Sequence, residues 1–417
     1  MTDRHVFVYV DLDGKPQLVG QLWGRMRRGK ESATFEYDDA WLKHRERFAL
    51  QPALALGKGP LHTPAGRQIF GAIGDSAPDR WGRVLIQRNE RRKAKEENRP
   101  PHTLGEIDYL LAVSDIARQG ALRFAEKEDG PFLAEGVPIP PLLRLAELLN
   151  AALHVTADEG SDDELKLLLA PGSSLGGARP KASIIDRDGQ LSIAKFPQHG
   201  DLVPVSLWEA TALTLAAKAG IPTPTWRIEK VAGRDVLLLR RFDREGERRI
   251  PFLSAMSMLG AIDNDLHSYL EIADALRQYG AQPGEDTPQL WRRVVFNILI
   301  SNSDDHLRNH GFLYVEGGWR LAPAYDLNPV PLDIKPRILT TAIDEDDGTA
   351  SVELALETAA HYGLKSPQAR NIVREVGAAV SQWRKTASDI GLSKNEIERM
   401  SSAFEHEDLA KATTAAE

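Results

Sequence analysis

The sequence predicts an α+β protein of two lobes, with an extra β-rich subdomain on the N-terminal side and a mostly helical C-terminal lobe. Three observations point to that order, which a two-lobed enzyme would give and many unrelated proteins share. Short runs of β-branched and aromatic residues separated by turn signals occupy the early part of the chain. A second set of strand-length runs, at 182–185, 191–196 and 236–239, flanks one helical pattern. From residue 256 onward helical periodicity dominates, interrupted by a single hairpin. A length of 417 residues gives room for two or three domains.

The elements follow in order. Residues 6–10 and 18–22 flank Asp13-Gly14, a hairpin with a DG turn. Residues 34–37 alternate like a further strand. Residues 79–95 read as a helix ending in Arg91, Arg92, Lys93 and Lys95, either a solvated helix end or a surface for an acidic partner or phosphate backbone. This N-terminal subdomain, 1–127, closes just after Phe124. Gly130, Pro131, Gly136, Pro138, Pro140 and Pro141 mark a linker that opens a second unit, 128–242. In it, 142–153 is helical, Asp188-Gly189 joins strands 182–185 and 191–196, and a helix over 206–219 stops at Gly220. The third unit, 243–410, carries helices at 269–279, 289–301 and 367–386. Its hairpin runs from 312 to 321 around Glu316-Gly317-Gly318. Residues 411–417, rich in Ala and Thr, are expected to form a disordered tail.

Composition excludes several chemistries. With no cysteine, a disulfide framework, a Cys-ligated zinc and a Cys nucleophile are ruled out. No stretch approaches the roughly 18 apolar residues of a membrane span, and the first residues lack a signal-peptide pattern. No membrane association and a cytoplasmic location are therefore expected. A net charge of −8 weighs against autonomous nucleic-acid binding.

The chemistry concentrates in Asn302-Ser303-Asp304-Asp305-His306-Leu307-Arg308-Asn309, between an apolar helix and the hairpin. Protein kinases set a catalytic Asp five residues before an Asn, so that one loop aims a base at the acceptor hydroxyl and a carboxamide at Mg²⁺. Asp304 and Asn309 have that spacing; Asp305 is one residue short of it. The hairpin returns the chain to Ala324-Tyr325-Asp326, where a second carboxylate completes a set suited to Mg²⁺ and phosphate oxygens. Alone, the spacing is also that of an ordinary polar turn. His306 and His310 lie four apart, but without the Glu of a zinc-protease helix.

A nucleotide cradle is also readable. Gly172-Ser173-Ser174-Leu175-Gly176-Gly177-Ala178-Arg179-Pro180-Lys181 is a loop of small residues leading into a strand, able to bring backbone N–H groups close to phosphates. It lacks the order of a P-loop. Lys195 ends the next strand as a kinase phosphate-pairing lysine would. Glu209, on the following helix, suits either an ion pair or a capping box with Ser206. Residues 237–242 could offer backbone groups to adenine.

Taken together, Ser174-Leu-Gly-Gly-Ala-Arg-Pro-Lys181, Ala194-Lys-Phe-Pro197, Leu238-Leu-Arg-Arg-Phe-Asp-Arg244, the 302–309 loop and Ala324-Tyr-Asp-Leu-Asn-Pro329 resemble HipA-type serine/threonine kinases, toxins of type II toxin–antitoxin systems. Asp79-Arg-Trp-Gly82 and Gly120-Ala-Leu-Arg-Phe124 resemble that family's first subdomain. The resemblance implies a protein-kinase-like fold, ATP and Mg²⁺. It implies Asp304 as catalytic base, and Asn309 and Asp326 as Mg²⁺ ligands. Lys195, Ser174, Gly176, Gly177, Lys181, Arg240 and Phe242 would lie around ATP. Ser174, or its neighbour Ser173, would be autophosphorylated, adding about 1.5–2 negative charges that compete with ATP. It further implies a HipB-like helix-turn-helix antitoxin, DNA contact only through that partner, and a translation component such as an aminoacyl-tRNA synthetase as substrate. A small-molecule kinase and a catalytically silent corepressor are the rival readings. The N-terminal subdomain weighs against the first and the intact Lys195, Asp304, Asn309 and Asp326 against the second.

Overall fold

Asp13 and Gly14 both adopt positive φ, 50° and 78°, as a type I′ turn requires. The Asp11 carboxylate accepts the Gly14 N–H at 2.8 Å. They join β1 (Arg4–Leu12) to β2 (Lys15–Arg27), longer strands than the sequence marks, with a bulge between Val8 and Tyr9. With β3 (Lys30–Tyr37), β4 (Leu61–His62) and β5 (Leu122–Ala125) they form a sheet of order β4-β3-β2-β1-β5. Val6, Val8, Val10, Leu22 and Phe35 are fully buried. The structure, a computed structural model, describes residues 3–27, 29–133, 139–172 and 177–414.

The chain divides into two compact units, Met1–Gly200 with Glu229–Leu253, and Asp201–Ile228 with Ser254–Glu417. In the first, helix α1 (Arg80–Glu96) is capped by Asp79, whose carboxylate accepts the Arg80 N–H at 2.8 Å. Its basic end holds Lys93 and Lys95 in the last turn, where the helix dipole favours cations, and Arg92 pairs with Glu96 at 2.6 Å. Trp81 and Leu85 of α1 enter a core shared with α2 (Leu145–Thr156), α3 (Asp162–Gly172) and a second sheet. That sheet has the order β6 (Lys181–Ile185), β7 (Leu191–Lys195), β9 (Arg234–Arg240), β8 (Trp226–Val231). Part of the proposed linker, 134–138, lies outside the described residues.

In the second unit, α4 (Val205–Lys218) begins one residue earlier than the pattern suggests. Its N-cap is Pro204 with no side-chain cap, so Ser206 lies inside the helix and forms no capping box with Glu209. Trp208 joins Trp383 and Phe404 in an aromatic cluster, at 6.4 and 6.1 Å between ring centroids. Helix α5 (Tyr269–Tyr279) falls where expected, behind a capping box of Ser268 and Glu271. Helix α6 (Pro283–Leu299) starts before Pro288 rather than after it; the Thr287 hydroxyl donates to the Pro283 carbonyl at 2.9 Å on the turn that the proline interrupts. The single helix expected over 367–386 is two, α7 (Ser366–Val380) and α8 (Trp383–Ile390). At the break the Ser381 hydroxyl donates back to the Ala378 carbonyl at 2.9 Å. Helix α9 (Glu407–Thr414) runs into the stretch expected as a tail, and Ala412 is buried against α7 at Gly377. Among the described residues no helix is long and apolar enough to cross a membrane.

His406, at the approach to α9, gives the second unit a pH dependence. Its ring nitrogen Nε2 lies 3.1 Å from the Leu299 carbonyl. Burial, and then the Arg337 charge, pull the imidazole down to about 4. The folded value lies below the unfolded one, so the contribution is complete above about pH 6.5 and is lost as pH falls toward 4. The chain is expected to lose up to about 3 kcal/mol across that window from this group, and His406→Gln to flatten the loss. Urea titrations at about pH 7 and about pH 4.5 check it.

Candidate active site

The candidate catalytic loop starts where α6 ends. Asn302 N–H donates to the Asn297 carbonyl at 2.9 Å and Ser301 N–H to Ile298 at 3.3 Å, the paired bonds of a Schellman stop. Glycine normally fills the left-handed position of that motif; here Ser301 does, at φ 52°. Its hydroxyl is held by the Ala403 carbonyl at 2.7 Å and by Arg337 at 3.1 Å. Arg337 also donates to the Ile298 carbonyl at 3.1 Å and pairs with Asp408 at 2.7 Å. Ser301, just before the loop, is thus fixed by Ala403 and by Arg337.

Two adjacent aspartates then have opposite surroundings. The Asp304 side chain is 69% exposed, while Asp305 is 3% exposed. Asp305 Oδ2 accepts from Asn297 Nδ2 at 2.7 Å and from the Tyr269 hydroxyl, and lies 2.8 Å from His310 Nε2. Burial, and then the Asp305 charge, push the Tyr269 hydroxyl well above its usual range, so it remains a donor. Of the two, Asp304 is the one open to solvent, and Asp305 is a buried anchor. His310 is buried and engaged with Asp305, and a 3₁₀ turn over Leu307–Asn309, not an α-helix, separates it from His306.

That turn folds Asn309 back on the loop. Its Nδ2 donates to the Asp304 carbonyl at 3.2 Å, which leaves its carboxamide oxygen as the atom for a cation. The hairpin β10 (Gly311–Val315) and β11 (Gly318–Leu321) follows, turning on Glu316 and Gly317 at φ 56° and 79°. Asp286 of α6 docks its return strand by accepting from Arg320 Nε at 2.8 Å and the Leu321 N–H at 3.2 Å. Buried Arg293 donates to the Ala322 carbonyl at 2.6 Å. Beyond it, the Tyr325 hydroxyl donates to the Arg308 carbonyl at 2.7 Å, and Asn328 N–H meets Asn302 Oδ1 at 3.4 Å. These bonds carry Asp326 onto the 302–309 loop, with its backbone in the left-handed region at φ 59°. Asn328 Oδ1 beside it is buried and has no hydrogen-bond partner among the described residues. One carboxylate, one free carboxamide oxygen and an unsatisfied acceptor suit a hard, oxygen-seeking cation such as Mg²⁺. A cavity of about 490 Å³ behind the hairpin, lined in part by Asp286, Arg292, Arg293 and Arg320, contains none of these loop residues.

In the first unit the β6–β7 register sets Lys181 directly opposite Lys195, concentrating two cations at one end of the sheet. Gly177 precedes them with φ 89°, and a Cβ there would come within 2.5 Å of Lys181 Nζ. Asp79, the cap of α1, also accepts the Gly177 N–H at 2.6 Å, and Trp81 Nε1 donates to the Lys181 carbonyl at 2.9 Å. The N-terminal subdomain therefore grips the end of the glycine-rich loop. Ser173, Ser174 and Gly176 lie outside the described residues. Arg240 pairs through its side chain with Asp188, and the Arg241 N–H is committed to the Leu191 carbonyl at 3.1 Å. The Phe242 ring lies 6.3 Å from Phe252. Glu209, in the second unit, is 2% exposed.

Sequence reasoning missed a buried ion cluster within Leu238-Leu-Arg-Arg-Phe-Asp-Arg244. Arg241 binds Asp243 through Nε at 2.6 Å and Nη2 at 2.5 Å, and donates to the Ala117 carbonyl at 3.0 Å. Asp243 accepts the Gly120 N–H at 2.7 Å and Arg244 Nη1 at 2.9 Å. Gly120 sits at φ 73°, where a Cβ would press on Phe252 at 3.1 Å. Burial alone would raise the Asp243 carboxyl; the charges of Arg241 and Arg244 outweigh it and hold the group far below its usual range. Nearby Arg118 stacks on Phe124 at 4.6 Å, and burial lowers its guanidinium to about 9. The paired Arg-Phe-Asp-Arg was the available signal, since charges flanking an aromatic after an apolar strand suit a buried pair.

Residues 173–383 match the family described as the HipA-like C-terminal domain, and residues 12–106 the HipA N-terminal domain. A Sinorhizobium fredii protein named "Putative kinase Y4mE" is 23% identical over 400 residues, covering 87% of this chain and 89% of that protein. A Haemophilus influenzae protein named "Putative kinase" is 22% identical over 252 residues, covering 54% and 69%. Among solved structures, a chain of the Shewanella oneidensis toxin–antitoxin complex of HipA, HipB and operator DNA superposes with a TM-score of 0.63 at 15% identity, over 98% of this chain and 96% of that one. That likeness carries the fold.

Proposed function

We propose, from the premise that this chain belongs to the HipA family, that it is a Mg²⁺- and ATP-dependent serine/threonine protein kinase and the toxin of a toxin–antitoxin pair. The observation that carries the reading is the split between Asp304 and Asp305: an exposed carboxylate on a loop locked by its buried neighbour. Asp304 takes the proton of the acceptor hydroxyl as that oxygen bonds to the γ-phosphorus and the bond to ADP breaks. Asn309 and Asp326 would hold Mg²⁺. When bound, the ion supplies neutralisation of phosphate charge. Lys195 and Lys181, with the backbone of Gly176 and Gly177, bind the phosphates; backbone around Arg240 and Phe242 takes the adenine. Glu209 is assigned a structural ion pair.

Ser174 is the proposed autophosphorylation site, with Ser173 as the alternative. The partner is a HipB-like helix-turn-helix antitoxin that supplies the DNA contacts, consistent with a net charge of −8 on this chain. The substrate is a translation component, with aminoacyl-tRNA synthetases the class to examine first. Phosphatase-treated protein incubated with Mg²⁺ and labelled ATP is expected to label itself, with phosphopeptide mapping placing the label at Ser174. An absence of transfer to itself and to a cell lysate rejects the kinase reading; label confined to other residues rejects the Ser174 assignment alone.

A further inference from the structure

Lys335 belongs to none of the motifs that point to a kinase, yet its ammonium lies 3.4 Å from Asp304 Oδ1 and donates to the Ser303 carbonyl at 3.2 Å. The segment that carries it is fixed on both sides. Asp333 is bound by Arg399 at 2.5 Å, and Arg337 is bound by Asp408, Ser301 and Ile298. The Lys335 N–H donates to the Pro331 carbonyl at 3.3 Å. A rigid backbone therefore delivers a long, flexible cation to the one exposed carboxylate of the loop. The pair itself is weak: the two side chains are 42% and 69% exposed, so solvent screens them and exchange is easy.

We infer that Lys335 is a further catalytic residue, leaving Asp304 to contact the transferred phosphoryl group during transfer. This rests on the kinase reading above. The charge balance favours the move. As the acceptor O–P bond forms and the bond to ADP breaks, the hydroxyl proton passes to Asp304, which becomes neutral. Lys335 loses its anionic partner at the moment a phosphoester dianion appears next to the same carboxyl. The ammonium takes no part in the proton transfer and forms no covalent bond. A cation aimed at charge that develops during reaction accelerates the step without tightening ground-state binding.

The test compares phosphatase-treated wild type, Lys335→Ala, Lys335→Arg and Asp304→Asn, each with labelled ATP and Mg²⁺. Lys335→Ala is expected to lower the self-labelling rate about a hundredfold with KM for ATP changed less than about threefold. Lys335→Arg, which keeps the charge, is expected to recover at least about tenfold of that loss. Binding gives an independent readout: Lys335→Ala should retain ADP affinity but lose the extra affinity that aluminium fluoride confers on ADP. A Lys335→Ala rate within about threefold of wild type, or equal loss of ADP affinity with and without aluminium fluoride, overturns the assignment while the kinase reading stands. A wild-type chain no more active than Asp304→Asn overturns both.

Discussion

Asp304→Asn is expected to reduce phosphoryl transfer by about a thousandfold or more while leaving stability within about 0.5 kcal/mol. Asp305→Ala is expected to show the reverse emphasis. Asp304 is exposed and its one described ion pair, with Lys335, is solvent-screened, so replacing it removes the proposed proton acceptor and little else. Asp305 accepts from Asn297 and Tyr269 and holds His310, all buried. Truncating it strands two or three buried donors, and each uncompensated group costs about 1–3 kcal/mol. Urea unfolding followed alongside single-turnover labelling separates the two. Asp305→Ala should unfold at markedly lower urea, with activity falling in step with the folded fraction. A stable, inactive Asp305→Ala next to an active Asp304→Asn would move the base to the other residue.

Spacing favoured Asp304 over Asp305 but could not say which of the two is buried. Asp304 and Asp305 are both acidic loop residues, and which one is buried depends on Tyr269 and Asn297, contributed by α5 and α6. What was legible was local. Asp13-Gly14 and Glu316-Gly317 are turn chemistry whose backbone preference is written in two residues, and both hairpins form there. The order of strand-bearing and helical units was legible for the same reason, as runs of alternating and helical periodicity, whereas the kinase-like fold rested on the resemblance of the motifs to the HipA family. Non-glycine residues in left-handed backbone were not: Ser301 and Asp326 have φ of 52° and 59°, held by contacts from Arg337 and Ala403 in one case and by the bonds of Tyr325 and Asn328 in the other. Lys335 was invisible because nothing in its own segment hints at a carboxylate on another loop. The capping box offered by Ser206 and Glu209 did not form, because the helix starts one residue earlier behind Pro204 and Ser206 lies inside it.

Asp243→Ala is expected to be the most damaging single change in the first unit, at about 3–5 kcal/mol. Its partners Arg241 and Arg244 have side chains only 4% and 7% exposed, so removing the carboxylate leaves two buried cations without their shared anion. It also frees the Gly120 N–H and so loosens the join between the segment leading into β5 and residues 241–244. The pH dependence has a defined sign. The folded carboxyl is depressed below the unfolded value of about 3.9, so its contribution is complete above that pH and is lost as pH falls below it. The stability gap between wild type and Asp243→Ala should therefore be constant from neutral pH down to about pH 5 and narrow in stronger acid. Replacing Arg241 and Asp243 together by Met and Leu should cost less than Asp243→Ala alone, because a desolvated ion pair exchanged for apolar packing leaves fewer charges stranded. Guanidinium unfolding of the three chains at neutral and acid pH tests the order. Asp243→Ala is also expected to raise KM for ATP, because it loosens the backbone proposed to bind adenine, and the double replacement, which keeps the join packed, is expected to raise it less.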